Sequence, residues 1–442
     1  MARRIAIDAA ELCILHWAAL MKRVPAVVSF FSSVAVLLSL ASPRNARADE
    51  PSPAPPESAL PPDPTPLQDF PPPEPEAPAV KITPMGYIEA YYAWNVNRPV
   101  NNITNYRGFD NRHNTITLSN AALGAAFTSG PVGGKLMLQI GSQPSTAYAG
   151  EPAFPGASAA NATGPELWKY LQEAYVTYKA PVGRGLTVKA GLEGAPFGLE
   201  TFAVHDNWNY SRSNLYFAMP AYYTSLRATY AFCDCLQASV AVLNGWSSVV
   251  DNNEAKSIEA HVRFTPREKK LRAQLSYLGG VERPSSAPEG QYWRHHFDAT
   301  GQLDLTTWLQ LAAQADYGFE PNRFGTARWF AGAAAARAKA FDWLFVAIRG
   351  DRFYEHQATE VAGKTSTPLF WNGVEWVSSV TATLDLRPHD NISIRFEFRH
   401  DQADGLLYFT GDTLTGDGSA KSPYLPNARR QETLLLGATA WF

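Results

Sequence analysis

The chain has 442 residues, a formal net charge of −3, 12% aromatic and 18% charged residues, so its charges are sparser than the usual quarter of a soluble chain. The near-balance of acids and bases, with no Lys/Arg run that could track phosphates, argues against a nucleic-acid partner. Beyond the N-terminal region no stretch approaches the roughly 20 apolar residues that a spanning helix needs, so any membrane crossing must be made by strands.

Taken in chain order, residues 21–48 read as an export signal. Lys22 and Arg23 supply a basic start, Val24 to Ala41 an apolar run, and Ala46-Arg47-Ala48 a small-x-small cleavage site before Asp49. Asp8 and Glu11 interrupt the preceding segment, so Met21 is the expected start of translation and residues 1–48 are expected to be an extension plus signal. Leu12 before Cys13 does not fit a lipidation site. Residues 49–83 alternate proline with Asp, Glu, Ser and Ala, and so predict an extended, disordered, acidic periplasmic tether.

From residue 84 to 442 the pattern has period two, which predicts an all-β fold. In Ser257 to Thr265, Ile258, Ala260, Val262 and Phe264 alternate with Glu259, His261 and Arg263; in Ile392 to Asp401, apolar residues alternate with Ser393, Arg395, Glu397 and Arg399. Strands are expected near 86–95, 114–127, 133–141, 171–180, 186–194, 222–231, 235–244, 256–265, 271–279, 294–305, 308–319, 328–338, 343–354, 375–386, 392–401 and 433–442. About sixteen strands form an even set, as bacterial barrels require. Short joins such as Pro181 to Gly185, Thr306 to Thr307 and Arg387 to Asn391 alternate with long ones at 142–170, 195–221, 355–374 and 402–431. A soluble sandwich has no reason to sort its joins by length, whereas a transmembrane antiparallel β-barrel places short turns at one end and long loops at the other.

Aromatic residues, among them Tyr87, Tyr91, Trp94, Trp246, Trp308, Trp329, Trp343 and Trp441, gather near strand ends, where interfacial girdles would sit. In the last strand Leu434, Leu436 and Phe442 share one face, the pattern by which outer-membrane barrels finish and which the barrel-assembly machinery reads. Cys233 and Cys235 sit in a short turn, where an oxidising compartment favours a bridge but adjacency leaves only a small strained ring.

The stretches Gly86 to Tyr92, Asn207 to Pro220, and Leu243-Asn244-Gly245-Trp246 followed by Asp251-Asn252-Asn253 resemble the putative beta-barrel porin-2 family. That resemblance implies an outer-membrane pore for small polar solutes and assigns no substrate.

A barrel of this size leaves an aqueous channel. The expected constriction is the loop Ala195 to Ala221, with Glu200, His205, Asp206, Trp208, Tyr210 and Arg212 able to bond or stack on a solute; otherwise it is a surface loop packed on its neighbours. Arg227, Glu259, Arg263, Arg272, Asp298, Asp304, Asp316, Arg349, Arg395, Glu397 and Arg399 are expected to face the lumen. Their mixed signs predict weak ion selectivity. No nucleophile with converging partners and no zinc-spaced histidine pair is present, and His295 and His296 fall on opposite strand faces. Neither enzyme activity, cofactor nor metal is expected; Asp412 and Asp417 read as a solvated acidic loop.

The resulting expectation is a porin of the Gram-negative outer membrane for passive diffusion of small polar solutes and ions. The alternative is a structural or adhesive protein anchored by its barrel. Outer-membrane lipid and the assembly machinery are the expected partners, and a homotrimer is kept open because no segment marks an interface.

Overall fold

In the computed structural model, residues 79–154, 162–266, 268, 270–356, 366–412 and 414–442 are described. The export signal, the start at Met21, Cys13 and nearly all of the tether lie outside them. Sixteen strands follow in order: β1 (Lys81–Asn95), β2 (Thr115–Ser129), β3 (Val132–Ile140), β4 (Leu171–Ala180), β5 (Leu186–Gly194), β6 (Tyr222–Cys233), β7 (Leu236–Leu243), β8 (Ser257–Phe264), β9 (Leu271–Val281), β10 (Trp293–Asp304), β11 (Leu309–Asn322), β12 (Gly325–Phe341), β13 (Leu344–His356), β14 (Trp376–His389), β15 (Ile392–Ala403) and β16 (Arg430–Trp441). Each pairs antiparallel with its neighbours, and β16 pairs with β1, so the sheet closes into a barrel with no free edge. The expected strands all appear.

The closing register runs from Tyr87 opposite Trp441 to Asn95 opposite Thr433. β1 begins at Lys81, inside the stretch 49–83 assigned to the tether, because β2 continues to pair with it as far as Lys81–Thr128 after β16 has ended. A second difference lies between β11 and β12, which extend until Asn322 faces Gly325. At this one join the loop end carries a tight turn. Asn322 Oδ1 accepts the Phe324 N–H at 2.8 Å, and Gly325 takes a positive φ of 122°.

Side chains alternate between two environments, as the strand period dictates. Ile348, Val380, Phe396, Phe398, Leu434 and Leu436 are exposed on the outer face, while Thr381, Arg395, Glu397, Arg399 and Thr433 are buried on the inner one. An apolar outside and a charged inside invert a soluble fold and match a lipid-facing wall. The wall is uneven: β7 and β8 have 8 residues each, whereas β12 has 17.

The aromatic girdle is smaller than the sequence suggested. Trp308 and Trp343 are exposed on the outer surface, but Tyr87, Tyr91 and Trp329 are buried and share the inner face with Glu89 and Ala331, and Trp441 stacks on the inward loop residue His205. Trp246 packs among His296, Trp329 and Phe370. Strand parity decides this, since Trp441 lies two residues from the inward Thr439. Two short helices, α1 (Ser142–Ala147) and α2 (Pro165–Trp168), lie in the β3–β4 join. Cys233 and Cys235 form a disulfide in the β6–β7 turn, their Cα atoms 5.2 Å apart.

Candidate functional site

The loop between β5 and β6 turns into the barrel. Pro196 and Pro220 stand at its two ends, and it contains two 3₁₀ turns, Val204–Asp206 and Asn214–Ala218. Its shape is set first by its own polar groups. Asn207 Oδ1 accepts the Thr201 N–H at 2.8 Å, while its Nδ2 donates to the carbonyls of Thr201 (3.0 Å) and Ala203 (3.2 Å). The Arg212 guanidinium donates to the carbonyls of Thr201 (3.2 Å), Tyr210 (2.7 Å) and Phe202. A segment without regular structure thereby satisfies its backbone, which burial demands.

The wall completes the seat. Glu397 on β15 accepts the N–H groups of Tyr210 (2.7 Å) and Ser211 (3.1 Å). Its neighbour on the same face, Arg395, donates to the carbonyls of Val204 (2.9 Å), Asn207 (2.8 Å) and Asn209 (3.1 Å). Arg399 reaches the Arg212 carbonyl and Asn214 Oδ1. From β13, Arg349 donates to the Ser211 carbonyl at 2.8 Å and pairs with Glu200, and Asp351 accepts from the Asn214 side chain at 2.7 Å. Glu89 on β1 accepts the Val204 N–H. Asp298 and Gln314 meet Gly198 and Leu199 at the start of the loop.

Apolar contacts fill the spaces between. Val204 and Tyr210 pack with Tyr91, Ala93 and Leu435. At the other end Leu215 and Ala218 join Trp329, Phe353, Trp371 and Leu407, a core built from loops and inner wall together. The β1–β2 loop also folds inward: Arg107 is buried between Asp110 and Asp401, and Phe109 packs on Tyr216.

The sequence-expected residues therefore separate into groups. Glu200, His205 and Asp206 line a cavity of about 420 Å³ between the loop and the wall, shared with Tyr87, Lys135, Gln139, Glu173, Arg263, Gln274 and Trp441. Trp208 borders a smaller space of about 60 Å³ against Gln302 and Ala333. Tyr210 and Arg212 do not line the cavity; they are buried behind it and hold the loop together. Arg349, Arg395, Glu397 and Arg399 face inward, but the loop covers them and engages their charges.

Arg227 is buried in a network with Glu193 (2.9 Å), Glu259 and Tyr223 on the inner face of β5–β8. Asp298 and Asp316 face each other across β10 and β11. Arg272 pairs with Asp304 at 2.9 Å. Period two alone would also have identified Asp351, which shares the inner face of β13 with Arg349, and Asp401, which shares that of β15 with Arg399; Glu89 and Asp385 lie on β1 and β14, strands for which no inward charge was named. Lys135 and Glu173, an ion pair on the cavity wall, carry weaker periodic signals because large apolar or aromatic residues, Met137 and Tyr175, share their strand faces.

The cavity holds both signs. The His205 ring stacks on Trp441 at 5.1 Å, and burial holds its imidazole below the ordinary range; Asp206, 3.7 Å away, opposes that shift, and Arg395, Arg387 and Arg212 add to it. The loop and the inner wall together enclose a space lined by polar groups of both signs.

Residues 81–440 match the model of the family described as Putative beta-barrel porin-2, OmpL-like. The chain belongs to this family. No curated protein matches it by sequence. The porin shares its fold with the outer membrane channel DcaP of Acinetobacter baumannii, at a TM-score of 0.51 and 10% identity over 82% of this chain and 97% of that one. It is similar in the same way to an anion-selective porin from Comamonas acidovorans, at 0.50 and 10% over 82% and 100%, and to the trimer form of OmpT from Vibrio cholerae, at 0.50 and 11% over 82% and 100%. The protein is an outer-membrane porin, and its barrel is the wall of a channel.

Proposed function

We propose that this porin passes small polar solutes and ions by passive diffusion, and that the loop Ala195–Ala221 is its constriction. The observation that carries this reading is the inward seat of that loop on Glu89, Arg349, Arg395, Glu397 and Arg399, which leaves a cavity lined by Glu200, His205 and Asp206 beside Lys135, Glu173 and Arg263. Mixed charges around the cavity support weak selectivity between cations and anions. Residues 21–48 serve as the export signal, residues 49–80 as the tether, and the final strand through Leu434, Leu436 and Phe442 as the mark read on assembly.

A homotrimer is the proposed assembly. Strands of 8 residues at a rise of about 3.3 Å and a tilt near 40° reach only about 20 Å, short of an apolar band about 25 Å tall. Another protomer standing against this low wall would cover Leu226, Val240 and Val242, which are exposed there.

Purified protein in planar lipid bilayers tests the proposal. Stable ohmic channels are expected, and removal of residues 200–213 is expected to raise their conductance. An intact barrel without channels would favour the anchor reading instead, and unchanged conductance after the deletion would remove the constriction role from the loop.

A further inference from the structure

Three guanidinium groups crowd one carboxylate on the inner face of β12–β15, near the end where the short turns lie. Phe345, Asp385 and Arg395 form one row across β13, β14 and β15, through the pairings Phe345–Asp385 and Asp385–Arg395. Arg387 Nε lies 3.0 Å from Asp385 Oδ2, Arg395 Nη2 3.5 Å and Arg337 Nη2 3.9 Å. Asp385 also accepts the Ser393 hydroxyl.

The three cations are not equivalent. Arg395 is fully buried and its donors are turned to the carbonyls of the inward loop. Arg337 and Arg387 instead pack over the Phe345 ring, at 4.1 and 5.3 Å from its centroid, and Arg387 also approaches Trp441 at 5.9 Å. Their side chains keep 13% and 21% of their surface open. Other nearby acids are engaged elsewhere: Glu397 by the amides of Tyr210 and Ser211, and Asp342 by Lys339 at 2.7 Å.

Three positive charges beside one negative charge leave two uncompensated in a place partly withdrawn from water, where like charges repel more strongly than in solution. Guanidinium forks held by an aromatic ring are preorganised donors for a planar or tetrahedral oxyanion. We infer that Arg337 and Arg387 form a binding site for small oxyanionic solutes, carboxylates or phosphates, at the turn end of the channel. This rests on the diffusion-porin reading and adds to it a ligand class and a side. The pair concentrates oxyanions at this mouth, beside the mixed-charge cavity whose wall includes Trp441.

The test is block of single-channel current by inorganic phosphate or by succinate, each added to one side of a bilayer at constant chloride. Block is expected at lower concentration from the turn side than from the loop side. Arg337→Gln/Arg387→Gln is expected to weaken it about tenfold, the loss of a charge-assisted contact. Each single substitution should have a smaller effect, and Asp385→Asn should strengthen the block by removing the competing carboxylate. Block by one of the two probes only assigns the site to that oxyanion and still supports it. Conducting channels without block, with equal block from both sides, or with block unchanged in the double variant overturn the site while leaving the porin reading intact. Absence of channels in the unsubstituted protein overturns the porin reading itself.

Discussion

The ring of Tyr210 fills the space that a side chain at position 437 would need: a Cβ placed on Gly437 would lie 2.2 Å from Tyr210 Cδ2. The closing strand is thus shaped at this point to receive the loop. Gly437→Ala is expected to displace the loop at an overpacking cost of about 1–3 kcal/mol and to raise single-channel conductance. Tyr210→Ala in the same chain should relieve the clash. If Gly437→Ala conducts like the parent while folding normally, the contact does not set the width of the passage.

Glu397 offers a charged acceptor to two loop amides. Hydrogen bonds to a charged group contribute about 1.5–3 kcal/mol each, so Glu397→Gln should loosen the loop without opening the barrel. The expected signature is larger open-channel current noise with unchanged heat-modified mobility on a gel. Quiet channels in this variant would show that the remaining anchors suffice.

His205 supplies a pH dependence whose sign is fixed. Burial lowers its pKa in the folded loop below the value of about 6.5 that it has when free. The stability it lends to the loop is therefore complete above about pH 6.5 and declines as the pH falls below that value toward the folded pKa, because the free imidazole then binds the proton more readily. Current fluctuations should rise between pH 6.5 and 5 in the parent and stay flat in His205→Gln. Equal acid sensitivity in both proteins would place the titrating group elsewhere.

Phe442 closes the β16 register through two backbone hydrogen bonds with Gly86, at 3.0 and 3.3 Å. Removing it should lower the yield of barrel in the outer membrane several-fold, while refolding from denaturant in detergent proceeds to conducting channels. Equal cellular yields would argue that the assembly mark lies in Leu434 and Leu436 alone.

The barrel was legible in the sequence because its signal is local. Period two in Ser257 to Thr265 or Ile392 to Asp401 is a direct image of the two faces of one strand, and strand count and closure follow from repeating it. The same parity groups Arg395, Glu397 and Arg399 on one face of β15, and applied strictly it would have turned Trp441 inward as well. What could not be read was the partner of those charges. They meet main-chain amides and carbonyls of a loop nearly 200 positions away, and any sequence presents amides and carbonyls. The tight turn at Asn322 to Gly325 was hidden for a different reason: β11 and β12 continue through Glu320 and Thr326, residues whose polarity looks like a loop.

The inward loop touches both ends of the polypeptide's strand order. Val204 meets Glu89 on the first strand, and Tyr210 meets Glu397 and Gly437 on the last two. Its seat straddles the seam and is complete only after the first and final strands have met. Seating of the loop and closure of the barrel are therefore coupled: until the seam is made, the Val204 amide lacks its acceptor on Glu89, while the anchors on β13 and β15 lie within one side of the sheet.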